Sequence, residues 1–386
     1  LGYLAQQKRL YILAINSKGE HIIETLDQSG QLQSSNTIKH DMSLSPFHMI
    51  KPFYDPFNDQ LAFANGKQLY SLSLDGAINK LTQLRYNDLR NFAFDPTGRK
   101  LLATEGKVDL DVSETSFDEL AQKHQPDFSP LASFNAVHQP YQSFARSSHT
   151  EYDAQFQPNG DLVAFLSDRT GETQLWLSNQ NQLTQLTDFS SNTLITSFAW
   201  SPKGHSLIAS VNGQVIEIDI DKTQVKLTTE FPITKIYQWT DDNSLLVEAR
   251  LNGQLTLSKY TLDNRKLTVL LNKPVKWAQV SSTARLIYLD KFNQFWQHTI
   301  SGPILIEKIA NNMATKRFLL RNDEIWSLST DDQLWQYNIK HQSISYIGQV
   351  SSQVSYFSDI RDNKVLLTQI ISAKKDIVEL RHDKGT

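Results

Sequence analysis

The sequence contains no cysteine. That excludes disulfide staples, thiolate metal sites and a cysteine nucleophile, and it suits an oxidising compartment, where stray thiols are a liability. No apolar run reaches the about 18 residues of a membrane-spanning helix, and no secretory leader opens the chain. The chain starts on Leu1 rather than Met, so it reads as a fragment or a processed product. No stretch is strongly basic and the formal net charge is −3, so general electrostatic attraction to nucleic acid is not expected. A Gly-rich phosphate loop is missing. So is the Gly-x-Ser-x-Gly elbow of a serine hydrolase, because Gly204-His205-Ser206-Leu207-Ile208 lacks the second glycine. The ten histidines show no i, i+4 or His-x-His spacing. No catalytic residue, metal site or cofactor is therefore expected, and the reading is of a non-enzyme.

What is present is a repeat. Tyr152 to Trp176 holds three strand-like runs and two turns. Gln157-Pro158-Asn159-Gly160 is a tight turn, with Pro fixing φ and Asn-Gly supplying positive φ. Leu162 to Leu166 is a buried-strand run, and Asp168-Arg169-Thr170-Gly171 turns again. Such a meander cannot bury its own two faces and needs neighbours of its kind.

The residue before each turn serves as an anchor. The anchors are Tyr54, Phe94, Phe156, Trp200, Trp239, Val280, Leu320 and Ile360, at intervals of 40, 62, 44, 39, 41, 40 and 40 residues. Each is followed by an apolar run, as at Leu61-Ala62-Phe63 or Leu207-Ile208-Ala209, and then by alternating apolar residues such as Leu255 and Leu257. A period near 40 with four short strands per unit is the pattern of propeller blades. The tryptophan–aspartate and kelch variants do not match. The expected fold is all-β: a single propeller domain over 1–386, with eight blades, or seven or nine depending on closure.

The 62-residue interval contains an insertion at 115–146. Ser116-Phe117-Asp118-Glu119 has capping-box spacing, so a short helix is predicted near 115–125, with a loop over 125–141. This insertion reads either as a tolerated surface excursion or as a lid or partner contact. Residues 1–48 form a degenerate unit expected to help close the ring, and the last unit is expected to stop after a third strand at 376–380.

DAQFQPNGDLVAFLSDRTGETQLWL resembles the TolB-type propeller repeat: strand, Ser-Pro-Asp-Gly, strand, Ser-Asp-Arg-x-Gly, strand. Asp95-Pro96-Thr97-Gly98 and Ser201-Pro202-Lys203-Gly204 are further copies, while Gln157 and Asn159 depart from the consensus Ser and Asp. The match is strong in the units at Phe156 and Trp200 and weak beyond Val280. The order of features, and the segment Ala145 to Asp153, look like the extracytoplasmic propeller of CadC-like winged-helix transmembrane regulators. That resemblance implies a periplasmic domain on the inner membrane, with a membrane tether before residue 1. It would sense a protein partner or small-molecule signal at a propeller face and make no direct nucleic-acid contact. The alternatives are a periplasmic TolB-like scaffold, or an enzyme with its site in the axial channel. Propellers of this kind also accompany prolyl-oligopeptidase-like hydrolase domains, but only six residues follow Leu380, so no such domain is expected here.

Three features invite a site. Asp109-Leu110-Asp111-Val112-Ser113 begins like an EF-hand loop, but Glu114 and Leu120 occupy the positions that need Gly and Glu. It reads instead as a strand with an acidic outward face. Arg169 reads either as a guanidinium exposed for an anion or as a brace for its turn with Asp168. The seven tryptophans read as packing between blades rather than as a sugar platform. No binding residue is singled out.

Overall fold

All eight anchors lie in strands: Phe53–Asp55, Leu89–Phe94, Glu151–Phe156, Ile195–Trp200, Ile233–Asp241, Trp277–Val280, Phe318–Arg321 and Val354–Arg361. The structure is a computed structural model. It describes residues 2–4, 8–16, 20–38, 52–55, 58, 60–64, 68–82, 89–95, 99–122, 141–180, 182–190, 193–314 and 316–381. The described strands form eight sheets, seven of four strands and one of five, which is the all-β, four-strand repeat read from the spacing.

The chain divides into two compact units rather than one. The first comprises Leu1–Val108, Arg250–Gln254 and Ser372–Thr386; the second comprises Asp109–Ala249 and Leu255–Ile371. In the first unit, strands Gly2–Leu4, Arg9–Ile15, His21–Leu26 and Leu32–Thr37 pair with one another. A second sheet follows from Phe53 to Lys80. Leu4, Tyr11 and Ile23 of one sheet pack with Leu61, Phe63 and Leu72 of the other. The strands within 1–48 thus complete a sheet of their own instead of closing the last blade.

The second unit holds six sheets, here called blades one to six in the order of the anchors Phe156, Trp200, Trp239, Val280, Leu320 and Ile360. Blades one to five are consecutive four-stranded meanders. Turn chemistry sets their hairpins. In blade two, Asn212 and Gly213 have φ of 51° and 77°, the paired positive values that a two-residue turn needs to follow strand twist.

Blade six is composite, with strand order Gln142–Ser143, Lys100–Ser116, Lys364–Arg381, Val354–Arg361. The closing strand is therefore the one that carries residues 109–116. The strand expected at 376–380 is part of one continuous strand, Lys364–Arg381.

Six apolar clusters tie the blades together, each shared by two successive blades. Leu166 and Leu175 of blade one meet Phe198 and Trp200 of blade two. Ile208 and Val215 meet Ile236 and Val247, and Tyr237 and Leu257 meet Ala278 and Tyr288. Ile287 and Phe295 then meet Phe318 and Trp335, and Leu319 and Leu334 meet Phe357 and Leu367. The sixth cluster returns to the start, joining Val112 and Leu366 of blade six to Ala154, Phe156 and Phe165 of blade one. The second unit is a closed ring of six blades, which leaves no free edge between first and last. All seven tryptophans lie in these clusters or against them, as packing between blades requires.

The insertion begins with the expected helix, Phe117–Gln122. The Ser116 hydroxyl accepts from the Glu119 N–H, and the Glu119 carboxylate accepts from the Ser116 N–H, both at 3.2 Å. This is a reciprocal capping box. Leu120 then packs into the cluster between blades five and six. The loop read over 125–141 lies, apart from Tyr141, outside the described residues.

Asp111 does not face outward. Asp111, Val112 and Ser113 are all buried in succession, because this stretch is covered on both faces and alternation no longer separates inside from outside. Burial pushes the Asp111 carboxyl up from its ordinary value, reinforced by Asp109 and opposed by Ser143, the Val112 N–H and Arg146. A carboxyl raised on folding contributes its stability below the unfolded pKa of about 3.9 and loses it as pH rises through the folded value. Asp111→Asn is thus expected to raise the melting temperature at pH 8 by roughly 2 °C or more, since a neutral amide costs less to bury than a charge. The gain should vanish near pH 4. An unchanged or lower melting temperature at pH 8 would contradict this.

Candidate functional site: the axial mouth of the second unit

The inner strand of each blade ends at its anchor or within two residues of it, and the residues around the anchors form two interlocked belts. The first belt is the residue before the anchor, where a long amide or carboxylate reaches the neighbouring blade. Gln155 donates through Nε2 to the Phe198 carbonyl at 3.1 Å. Gln238 donates to the Val280 carbonyl at 3.1 Å and accepts from the Val280 N–H at 2.7 Å. The Gln279 Oε1 accepts from the Leu320 N–H at 2.6 Å. Asp359 links blade six to blade one, its Oδ2 accepting from the Phe156 N–H at 2.9 Å. The inner edge of a propeller has no further strand to satisfy its backbone groups, so side chains do so.

The second belt is made by the turns after the anchors. Gln157 Nε2 donates to the Gly204 carbonyl at 2.7 Å while its Oε1 accepts from the Leu162 N–H at 3.1 Å. The departure from consensus Ser at Gln157 is what lets this turn reach the next blade. Lys203 pairs with Asp242, Thr283 donates to Asp323, and Arg321 pairs with Asp359 at 2.7 Å. Arg361 of blade six donates to the Gln157 and Gly160 carbonyls of blade one and lies 4.5 Å from the centre of the Phe156 ring.

These belts enclose a cavity of about 320 Å³. All six blades line it. Arg317, Arg321 and Arg361 face a single lining carboxylate, Asp359, among Gln155, Gln157, Gln238 and Gln279, with Trp200, Trp239, Trp277, Tyr237 and Phe156 as apolar walls. The lining is net cationic, amide-rich and aromatic. The sequence pointed to a propeller face or the axial channel, without residues. Their signal was the repeated position itself: amides one residue before three anchors, and arginines one residue after two.

The chain matches no protein-family model, and no curated protein matches it. Among solved structures it is similar to TolB from Acinetobacter baumannii, with 10% identity and a TM-score of 0.41 over 95% of this chain and 80% of that one. It is similar to the tricorn protease at 10% identity and a TM-score of 0.31, covering 89% of this chain and 40% of that one. Puromycin hydrolase gives 11% identity and a TM-score of 0.34, over 91% and 54% respectively. The chain thus spans less than half of the tricorn protease and about half of puromycin hydrolase.

Arg169 lies away from this mouth and is committed elsewhere. Its guanidinium pairs with Glu151 at 3.1 Å, donates through Nε to Ser167 at 3.0 Å and to the Ala145 carbonyl, and stacks 4.8 Å from the Trp176 ring centre. It does brace its turn, but through Glu151. Asp168 instead accepts from the Thr150 N–H at 2.8 Å. Glu151 is fully buried, and burial pushes its carboxyl up against the opposing Ser147, Ser167 and Arg169.

Proposed function

We propose that the chain is a non-catalytic recognition module that binds an anionic protein segment at the anchor-side mouth of the second unit's ring. The observation that carries this reading is the lining: three guanidinium groups against one carboxylate, with amides and indoles between them. Guanidinium forks recognise carboxylates, and indole walls supply contact area with little entropy to lose. None of the dominant lining groups is a nucleophile paired with a base, which favours binding over turnover.

The finer assignment we propose is sensing or interaction on the periplasmic side of the inner membrane, as part of a membrane-bound transcriptional regulator. Its support is the resemblance of the Ala145–Asp153 segment and the blade-one repeat. A TolB-like scaffold role uses the same mouth. The upstream coding sequence separates the two. A winged helix and one apolar span of about 20 residues would support the regulator, and a cleavable signal peptide would count against it.

The mouth itself is tested by site-specific photocrosslinking in cells. A photoreactive residue in place of Pro202, which lines the cavity, should give adducts of one mass that weaken with salt and disappear in Arg321→Gln. The same group at Val225, on an exposed outer strand, should give none of them. Identical adducts from both positions, or none from Pro202, would contradict the proposal.

A further inference from the structure

Five of the six blades carry a second band of groups upstream of their anchors, in or directly before the inner strand. Asp153, Lys235, Trp277, Arg317 and Tyr356 each stand three or four residues before an anchor and come from five of the six blades. Arg317 forms an ion pair with Asp153, and the Tyr356 hydroxyl donates to the same carboxylate oxygen at 2.8 Å. The Arg317 guanidinium lies 4.3 Å from the Tyr356 ring centre and 4.8 Å from that of Trp277. The Lys235 ammonium also lies over Trp277, at 4.7 Å, and over Tyr237 at 4.9 Å. It donates to the Lys276 carbonyl at 3.1 Å. Lys316 lies 4.8 Å from the Tyr356 ring centre and donates to Ser355. Among the described residues, neither lysine has an ion-pair partner.

Three cations therefore surround Asp153 within aromatic walls, and Glu248 is the other carboxylate that acts on Lys235. Burial and the neighbouring Arg317 together pull the Lys235 pKa down to about 8, against the opposing pull of Glu248 and Asp153. A further anion would relieve that repulsion in a setting where charge pairing is stronger than in water. The carboxylate already present is held under strain. Asp153 has φ of 58° at a register break in its strand, a conformation that non-glycine residues adopt at a cost and that concentrates at ligand sites. Burial works against its charge, yet Arg317 and the Tyr356 hydroxyl hold the carboxyl below its ordinary range.

We propose that this band binds a small organic carboxylate, with Lys235 and Lys316 as its ion-pair partners and Asp153 as an internal stand-in that competes for Arg317. A carboxylate is favoured over other anions because a carboxylate already fits the geometry of Arg317 and Tyr356. The site shares Arg317, Trp277 and Tyr237 with the mouth proposed above, but Lys235, Lys316 and Asp153 do not line that mouth. Arg321 and Pro202 test the mouth, whereas Lys235 and Asp153 test this band, so either can fail alone.

The experiment is calorimetric titration of the full chain with succinate, with succinamide as the neutral isostere and sodium chloride at matched ionic strength. Succinate is expected to bind saturably and to raise the melting temperature, while succinamide and sodium chloride do neither. Lys235→Gln should weaken succinate at least tenfold. Asp153→Asn should tighten it severalfold, an outcome that a purely structural ion pair would not produce. Succinate behaving like sodium chloride, or binding Lys235→Gln as tightly as the unmodified chain, would overturn the proposal. Should Lys235→Gln not fold, Asp153→Asn decides, and unchanged or weaker binding there would overturn it.

Discussion

Asp359→Ala should lower the unfolding free energy of the second unit by about 3 kcal/mol. One carboxylate here holds three blades. Oδ2 accepts from the Phe156 N–H of blade one at 2.9 Å, and Oδ1 accepts from the Ile360 N–H of its own blade at 2.8 Å. The same Oδ1 accepts from Arg321 of blade five at 2.7 Å. Asp359 is nearly buried, at 6% exposure, so alanine leaves two backbone donors without their acceptors. Most of the loss comes from those donors. Arg321 is 41% exposed in its side chain, and solvent screens that pair to a fraction of its dry strength. Asp359→Asn keeps one acceptor oxygen and should cost about half as much. Urea denaturation measures both. An alanine variant with an unchanged midpoint would show that the side chain does not hold the ring closed.

A loss of similar size is expected for Gly204→Ala, roughly 3 kcal/mol. Gly204 has φ of 75°, a region in which an L side chain meets its own backbone. Its neighbour is also unforgiving. A Cβ there would stand 2.2 Å from the Pro158 carbonyl oxygen of the preceding blade. That oxygen belongs to backbone, so relief requires the two turns to separate, and separation breaks the Gln157–Gly204 hydrogen bond. The same substitution at Gly171, also at positive φ with nothing within 4 Å of a Cβ, should cost only the conformational part, about 1 kcal/mol. Equal melting temperatures for the two variants would contradict the packing argument.

Much of this was legible in the sequence because blades are local objects. Each anchor, its turn and the strand after it lie within about a dozen residues, and Pro, Asn and Gly mark the turns chemically. The division between units was not legible. Tyr54 and Phe94 carry the same strand–turn pattern as Phe156 and Trp200, yet they belong to the first unit. Closure was hidden because pairing between residues 109–116 and the strand after Ile360 spans most of the chain. Asp111 misled because alternation separates faces only when one face meets water. The functional residues were the least legible. Lys235, Arg317 and Tyr356 are single polar residues in or beside separate strands, and only the ring brings them together.

The closed ring is the claim on which both binding proposals stand, and native-state hydrogen exchange tests it most directly. The amides of Phe156, Val280 and Leu320 are each held by a side chain of the preceding blade. In a closed ring all three should exchange only through global unfolding, with one common free energy. Phe156 exchanging far faster than Val280 and Leu320 would show that blade six does not seal against blade one.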